Sequence, residues 1–201
     1  MNQRVFSFGA STAQGYRDDE KGGFIVRLGE KLAAHSLGHT ENLGVGGHTS
    51  DQMAARAAGV ASDADPSDIA IVSLGINDVA RSPDRSPDKR VPLNRHRENV
   101  ERLLDTLRAG CCVLYFTQYP VDHAKHGLDP AVVTQYVEAG HAVARALGIR
   151  VVDIHNMIND VLYQRYIHED GMHFNAAGHD FIAEQLWPPL TEMMGINNTS
   201  G

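Results

Sequence analysis

The chain has 201 residues, 42% of them hydrophobic and 21% charged, which is the composition of an ordinary globular chain and not of a disordered one. A formal net charge of -7 argues against electrostatic capture of nucleic acid or of an anionic membrane, although 11 histidines would change the balance at mildly acidic pH. No run is apolar for long enough to span a bilayer.

The first residues, Met1 to Gly9, read as a strand centred on Val5 to Phe8. They lack the basic, apolar and small-residue succession of a secretory signal, so a cytoplasmic protein is expected. Four more β-rich runs follow, Glu41 to Val45, Asp68 to Leu74, Cys111 to Thr117 and Arg150 to Ile154. Between them, Phe24, Leu28 and Leu32 recur every four residues, and Val100, Leu104 and Leu107 keep helical spacing. Helices are predicted near 93–109, 130–147 and 176–192, with Pro188 and Pro189 closing or kinking the last. Alternation of this kind predicts an α/β fold of parallel strands joined by helical crossovers. No linker or repeat divides the chain, so 1–195 is expected to form one domain, with 196–201 as a flexible tail. The tail holds formal glycosylation sequons at Asn197 and Asn198, which mean nothing without export.

Cys111 and Cys112 are adjacent inside an apolar run, where a mutual bond is disfavoured and burial in a strand is expected. That usage fits a reducing compartment. Cys111 lies within the run and not beyond its end, which favours a core role over a nucleophilic one. Two irregular connections follow strands: Arg81 to Pro92, with prolines among charges, and Tyr119 to Pro130, which carries His123 and His126. In an open parallel sheet such loops overhang the ligand site, unless they are only solvated spacers. Asp122, His123 and His126 lack a further ligand at a recognised spacing, so no metal and no cofactor is expected.

Four short segments carry chemistry. Phe8-Gly9-Ala10-Ser11-Thr12 ends a strand in a glycine and a serine, a seat for a nucleophile or for a plain helix cap. Asp170-Gly171-Met172-His173 lets a carboxylate reach an imidazole through a turn, although the same spacing suits a surface turn or half a metal site. Gly46-Gly47-His48 and Gly75-Ile76-Asn77-Asp78 each end a strand and would bring a donor to the same edge, the Gly47 N–H and the Asn77 amide. Tight turns and caps are the plainer readings of both.

In this order the four segments resemble the GDSL-like lipase and acylhydrolase family, the SGNH hydrolases, from Phe6 to about Leu186. The resemblance implies a three-layer α/β/α sandwich around a five-stranded parallel sheet, of flavodoxin-like type. It also implies Ser11 as nucleophile, His173 as base, Asp170 as its acid, and Ser11, Gly47 and Asn77 as the oxyanion hole. The expected activity is hydrolysis of a small-molecule ester, short-chain or O-acetyl, with acyl-CoA thioesters as an alternative within the family. His48, Tyr119, His123 and the Arg81 to Arg90 segment are the expected substrate contacts. Ala10 and Thr12 replace the Asp and Leu of the family's name motif, which leaves open what supports the serine turn. An α/β-hydrolase fits poorly, because its serine follows several strands in Gly-x-Ser-x-Gly. A non-catalytic flavodoxin-like binding module is the reading from another class.

Overall fold

In the computed structural model, residues 3–80 and 90–196 are described. Strands β1 (Gln3–Gly9), β2 (Gly38–Asn42), β3 (Ile69–Ser73), β4 (Cys112–Phe116) and β5 (Arg150–Val152) form one sheet in the order β2-β1-β3-β4-β5. Every pairing is parallel. Successive strand residues point to opposite faces, and both faces are covered. Val5, Ile69, Ile71, Leu114 and Phe116 meet Phe24, Leu28 and Leu32 of α2 (Phe24–Ala34) and Ile182, Leu186 and Leu190 of α10 (Ala176–Met193). Their alternates Phe6, Phe8, Ala70, Val72, Val113 and Tyr115 meet Met53 and Ala57 of α3 (Ser50–Asp63) and Val100, Leu103, Leu104 and Leu107 of α5 (Leu93–Arg108). With α7 (Pro130–Ala146) contributing to both clusters, the architecture is a three-layer α/β/α sandwich.

The short helices α1 (Ser11–Gln14), α4 (Ile76–Ala80), α6 (His123–His126), α8 (Ile154–Met157) and α9 (Asp160–Tyr166) sit in connections where hydrophobic period gives no signal. Among the described residues no helix is long and apolar enough to cross a membrane.

Two local expectations need correction, the bounds of the second strand and the burial of both cysteines, and the expected last helix is found within one residue of its bounds. The second strand is Gly38–Asn42 and not Glu41 to Val45, because it is an edge strand of polar, half-exposed residues that an apolar search passes over. Gly38 starts it because a Cβ there would lie 2.1 Å from the Gln3 carbonyl oxygen. Leu43 and Val45 still donate N–H groups to Ser7 and Gly9, at 3.0 Å each. Helix α10 passes through Pro188 and Pro189 to Met193: buried Leu186 and Leu190 hold its last turns, and the Thr191 hydroxyl bonds the carbonyls of Trp187 and Pro188. Of the cysteines only Cys111 is buried, just ahead of β4, and Cys112 is exposed; both are free.

Candidate active site

The site lies beyond the carboxyl ends of β1, β2 and β3, where open parallel sheets place their ligands. Gly9 ends β1 because a Cβ would fall 2.6 Å from the Ser73 carbonyl oxygen and 2.8 Å from the Ala13 Cβ. Only there can the serine turn close against β3. With Ala10 in the chain, no carboxylate braces this turn from within. It is held from below and from one side: the buried Ser7 hydroxyl reaches the Ala13 carbonyl at 3.1 Å, and the Asn42 amide donates to the Gln14 carbonyl at 3.0 Å. Gln14 Oε1 in turn accepts the Gly46 N–H at 3.0 Å, tying the serine turn to the glycine turn after β2.

Ser11 Oγ stands 3.1 Å from His173 Nε2, and His173 Nδ1 stands 3.0 Å from Asp170 Oδ2. The two ends of the chain thus meet across 162 residues. The loop that carries the imidazole is closed by a bridge between Ile167 and Phe174 and by the His168 N–H on the His173 carbonyl at 2.7 Å. Gly171 turns it at φ 73°. Burial opposes ionisation of Asp170, yet the N–H of Met172 at 2.8 Å and of His173 at 3.0 Å, with the His173 ring, hold it well below the usual carboxylate range. Burial lowers the His173 imidazole from 6.5; the neighbouring Asp170 works the other way, and Arg17 and His126 add to the lowering.

A cavity of about 300 Å³ opens beside Ser11 and His173, walled by Gln14, Tyr16, Gly46, Gly47, Asn77 and Met172. Asn77 Nδ2 donates to the His48 carbonyl at 3.0 Å, which orients the amide and leaves its second N–H for the cavity. Asp78, next to it, is 1% exposed and takes the Ser50 N–H at 2.7 Å and His96 Nδ1 at 2.5 Å.

The expected substrate contacts are placed otherwise. Tyr119 is 1% exposed and lies under the site: its hydroxyl meets Thr12 Oγ1 at 2.8 Å and donates to the Met172 carbonyl at 3.0 Å. It ties the residue after Ser11 to the residue before His173. His48 offers the site its carbonyl, and His123 opens α6; neither side chain lines the cavity. Of the Arg81 to Arg90 segment, residues 81–89 lie outside the described residues. Sequence reasoning missed Gln14 and Tyr16 on the wall and Arg17 behind it. The only trace of them was their position just after the serine turn.

Solved structures of other proteins share this fold over nearly the whole chain. The lipase/acylhydrolase from Enterococcus faecalis matches with a TM-score of 0.77 at 20% identity, covering 99% of this chain and 99% of its own. For the acetylxylan esterase from Geobacillus stearothermophilus the values are 0.76 and 21%, over 97% of this chain and 95% of that one. An α/β hydrolase enzyme from the metagenome of Lake Arreo, Spain, matches at 0.76 and 22%, over 98% and 97%. Identities this low speak for the fold alone. No curated protein matches the chain in sequence. The family match is broader than any motif, since it spans residues 7–181, from the strand before Ser11 into the helix after His173, and by it the chain belongs to the GDSL-like Lipase/Acylhydrolase family.

Proposed function

We propose that the protein is a serine-dependent carboxylic ester hydrolase that works by double displacement, with Ser11 as nucleophile, His173 as general base and Asp170 as its orienting acid. The observation that carries this reading is the hydrogen-bonded line from Ser11 Oγ through His173 to Asp170, at 3.1 and 3.0 Å. Ser11 Oγ attacks the acyl carbon as its proton passes to His173 Nε2, and the carbonyl π pair moves onto oxygen. The tetrahedral oxyanion is held by the N–H groups of Ser11 and Gly47 and by the second amide hydrogen of Asn77. None of these donors has a protein acceptor among the described residues. The alkoxide then leaves with the proton from His173. Water repeats the sequence on the acyl-enzyme and frees the acid.

A short acyl group suits the cavity, whose volume of about 300 Å³ is at the small end for ligand sites. The acetylxylan esterase among the similar folds favours an O-acetylated saccharide as the ester to try first. Rates across p-nitrophenyl esters of rising chain length, beside a panel of acetylated sugars, test this; a rate that climbs steadily into long chains would contradict it. Ser11→Ala should abolish turnover and labelling by a fluorophosphonate, while Asn77→Ala should lose about 10²–10³ in kcat. An unlabelled wild-type protein would instead favour a binding module, which has no activated serine.

A further inference from the structure

Arg17 lies outside the three residues assigned above, and it is built onto them. Its Nε stands 3.1 Å from Asp170 Oδ2, the same oxygen that His173 Nδ1 meets at 3.0 Å. Its guanidinium carbon sits 4.8 Å from the centroid of the Tyr16 ring, and that ring meets the His173 ring at 4.7 Å with planes 72° apart. Arg17, Asp170, His173 and Tyr16 therefore close a circuit of contacts around the imidazole. The backbone bears a cost to place this side chain, since Arg17 is left-handed at φ 69°, a conformation in which glycine or asparagine is cheaper. Strain at a residue that reaches into a site is the pattern expected where the side chain has work there.

Resting on the triad reading, we infer that Arg17 is a positioning residue that acts through Asp170: it fixes the carboxylate and keeps His173 a neutral base to lower pH than Asp170 alone would allow. The reason is charge. A lone carboxylate welcomes a proton on the imidazole, because the product is a neutral pair. With Arg17 already on that oxygen the same protonation leaves a net positive charge.

Of the other groups facing the pair, His126 also works against a proton on His173, but it meets the Asp170 backbone carbonyl and not the carboxylate. His168 Nδ1 lies 3.3 Å from Asp170 Oδ2 but accepts the Asp170 N–H at 3.1 Å, so that nitrogen carries a lone pair. On α6, His126 Nε2 meets the Asp170 carbonyl at 2.8 Å, Lys125 Nζ the Glu169 carbonyl at 2.5 Å, and Asp122 Oδ1 caps Lys125 N. From α9 the Tyr163 hydroxyl donates to the Gly171 carbonyl at 3.3 Å. On α10, His179 Nδ1 accepts the Phe24 N–H, and Asp18, beyond Arg17, is committed to Arg27. Among the described residues Arg17 is the one permanent cation paired with the Asp170 carboxylate.

The test is the pH profile of kcat/KM for the wild type, R17Q and R17K on one p-nitrophenyl ester, with His173 titrated by NMR in the Ser11→Ala background with and without R17Q. R17Q should move the acid limb up by on the order of half a pH unit, about threefold in rate on the slope, because the pair is half exposed and partly screened. R17K should keep most of the wild-type limb, and the NMR titration of His173 should rise in step with R17Q. A merely structural Arg17 would lower the plateau and leave the limb in place. An R17Q limb that coincides with the wild type, or an R17K limb displaced as far as that of R17Q, overturns the inference. Ser11→Ala separates the failures: full activity there sinks the triad reading and this inference with it, whereas an inactive Ser11→Ala beside an unmoved R17Q limb sinks the inference alone.

Discussion

Tyr119 is the residue whose role changed most between sequence and structure. It was an attractive wall for a substrate because it follows β4, yet its ring is buried against Phe174, with centroids 3.9 Å apart, and its hydroxyl braces Thr12 and Met172. Tyr119→Phe keeps the ring and removes both bonds, so it should lower kcat severalfold with KM nearly unchanged. A large rise in KM with kcat intact would return Tyr119 to the substrate. The base has its own signature. Because burial lowers His173 from 6.5, and only the neutral ring accepts a proton, kcat/KM should fall with acid through a midpoint below about 6.5. A midpoint well above that would mean another group is being titrated. Ser11, Asp170 and His173 stood out as candidates only through the joint order of the four segments, since each segment alone reads as readily as a turn or a cap. The role of Tyr119 was not legible, since its partners lie 107 and 53 residues away, nor was that of Arg17, whose reach depends on one left-handed torsion.

Among elements, the junction of α3, α4 and α5 deserves the closest test, because Asp78 connects all three next to Asn77. Its carboxylate bonds the first N–H of α3 and His96 of α5, and Asp78 and His96 are at most 1% exposed. Removing one partner leaves the other buried without its hydrogen bond, which costs about 1–3 kcal/mol. Asp78→Ala should show that loss in urea unfolding and His96→Ala a comparable one; a change within the scatter of surface mutations would mean the junction relaxes freely. This pair was hidden in the sequence, since Asp78 reads as a cap and His96 as one more polar helix residue. The same limit explains β2, since an edge strand needs no apolar run. Helix α10 keeps its expected length because an end held by packing and a threonine survives two prolines.

For the whole molecule, the alternation of strands and helices was enough to foresee parallel strands joined by helical crossovers, and the family resemblance implied the cover on both faces. Packing across the layers has a pH consequence. His179 of α10 is fully buried against α2, and burial pushes it down to about 4 from 6.5. The folded state thus refuses a proton that the unfolded chain accepts. Stability from this group is complete above about 6.5 and is lost as pH falls towards 4, by on the order of 3 kcal/mol in all. Urea midpoints at pH 7 and pH 5 should show the loss, and His179→Gln should flatten it.

On the proposed triad, the distance along the chain between Ser11 and His173 also sets when hydrolysis can begin during synthesis. The hydroxyl is made with the first strand of the sheet, which ends up between two neighbours, while the imidazole follows only after all five strands have been made. A nascent polypeptide stalled anywhere before residue 173 carries the serine without its base, so esterase activity is acquired in a single late step, and a stall series should read it as a switch.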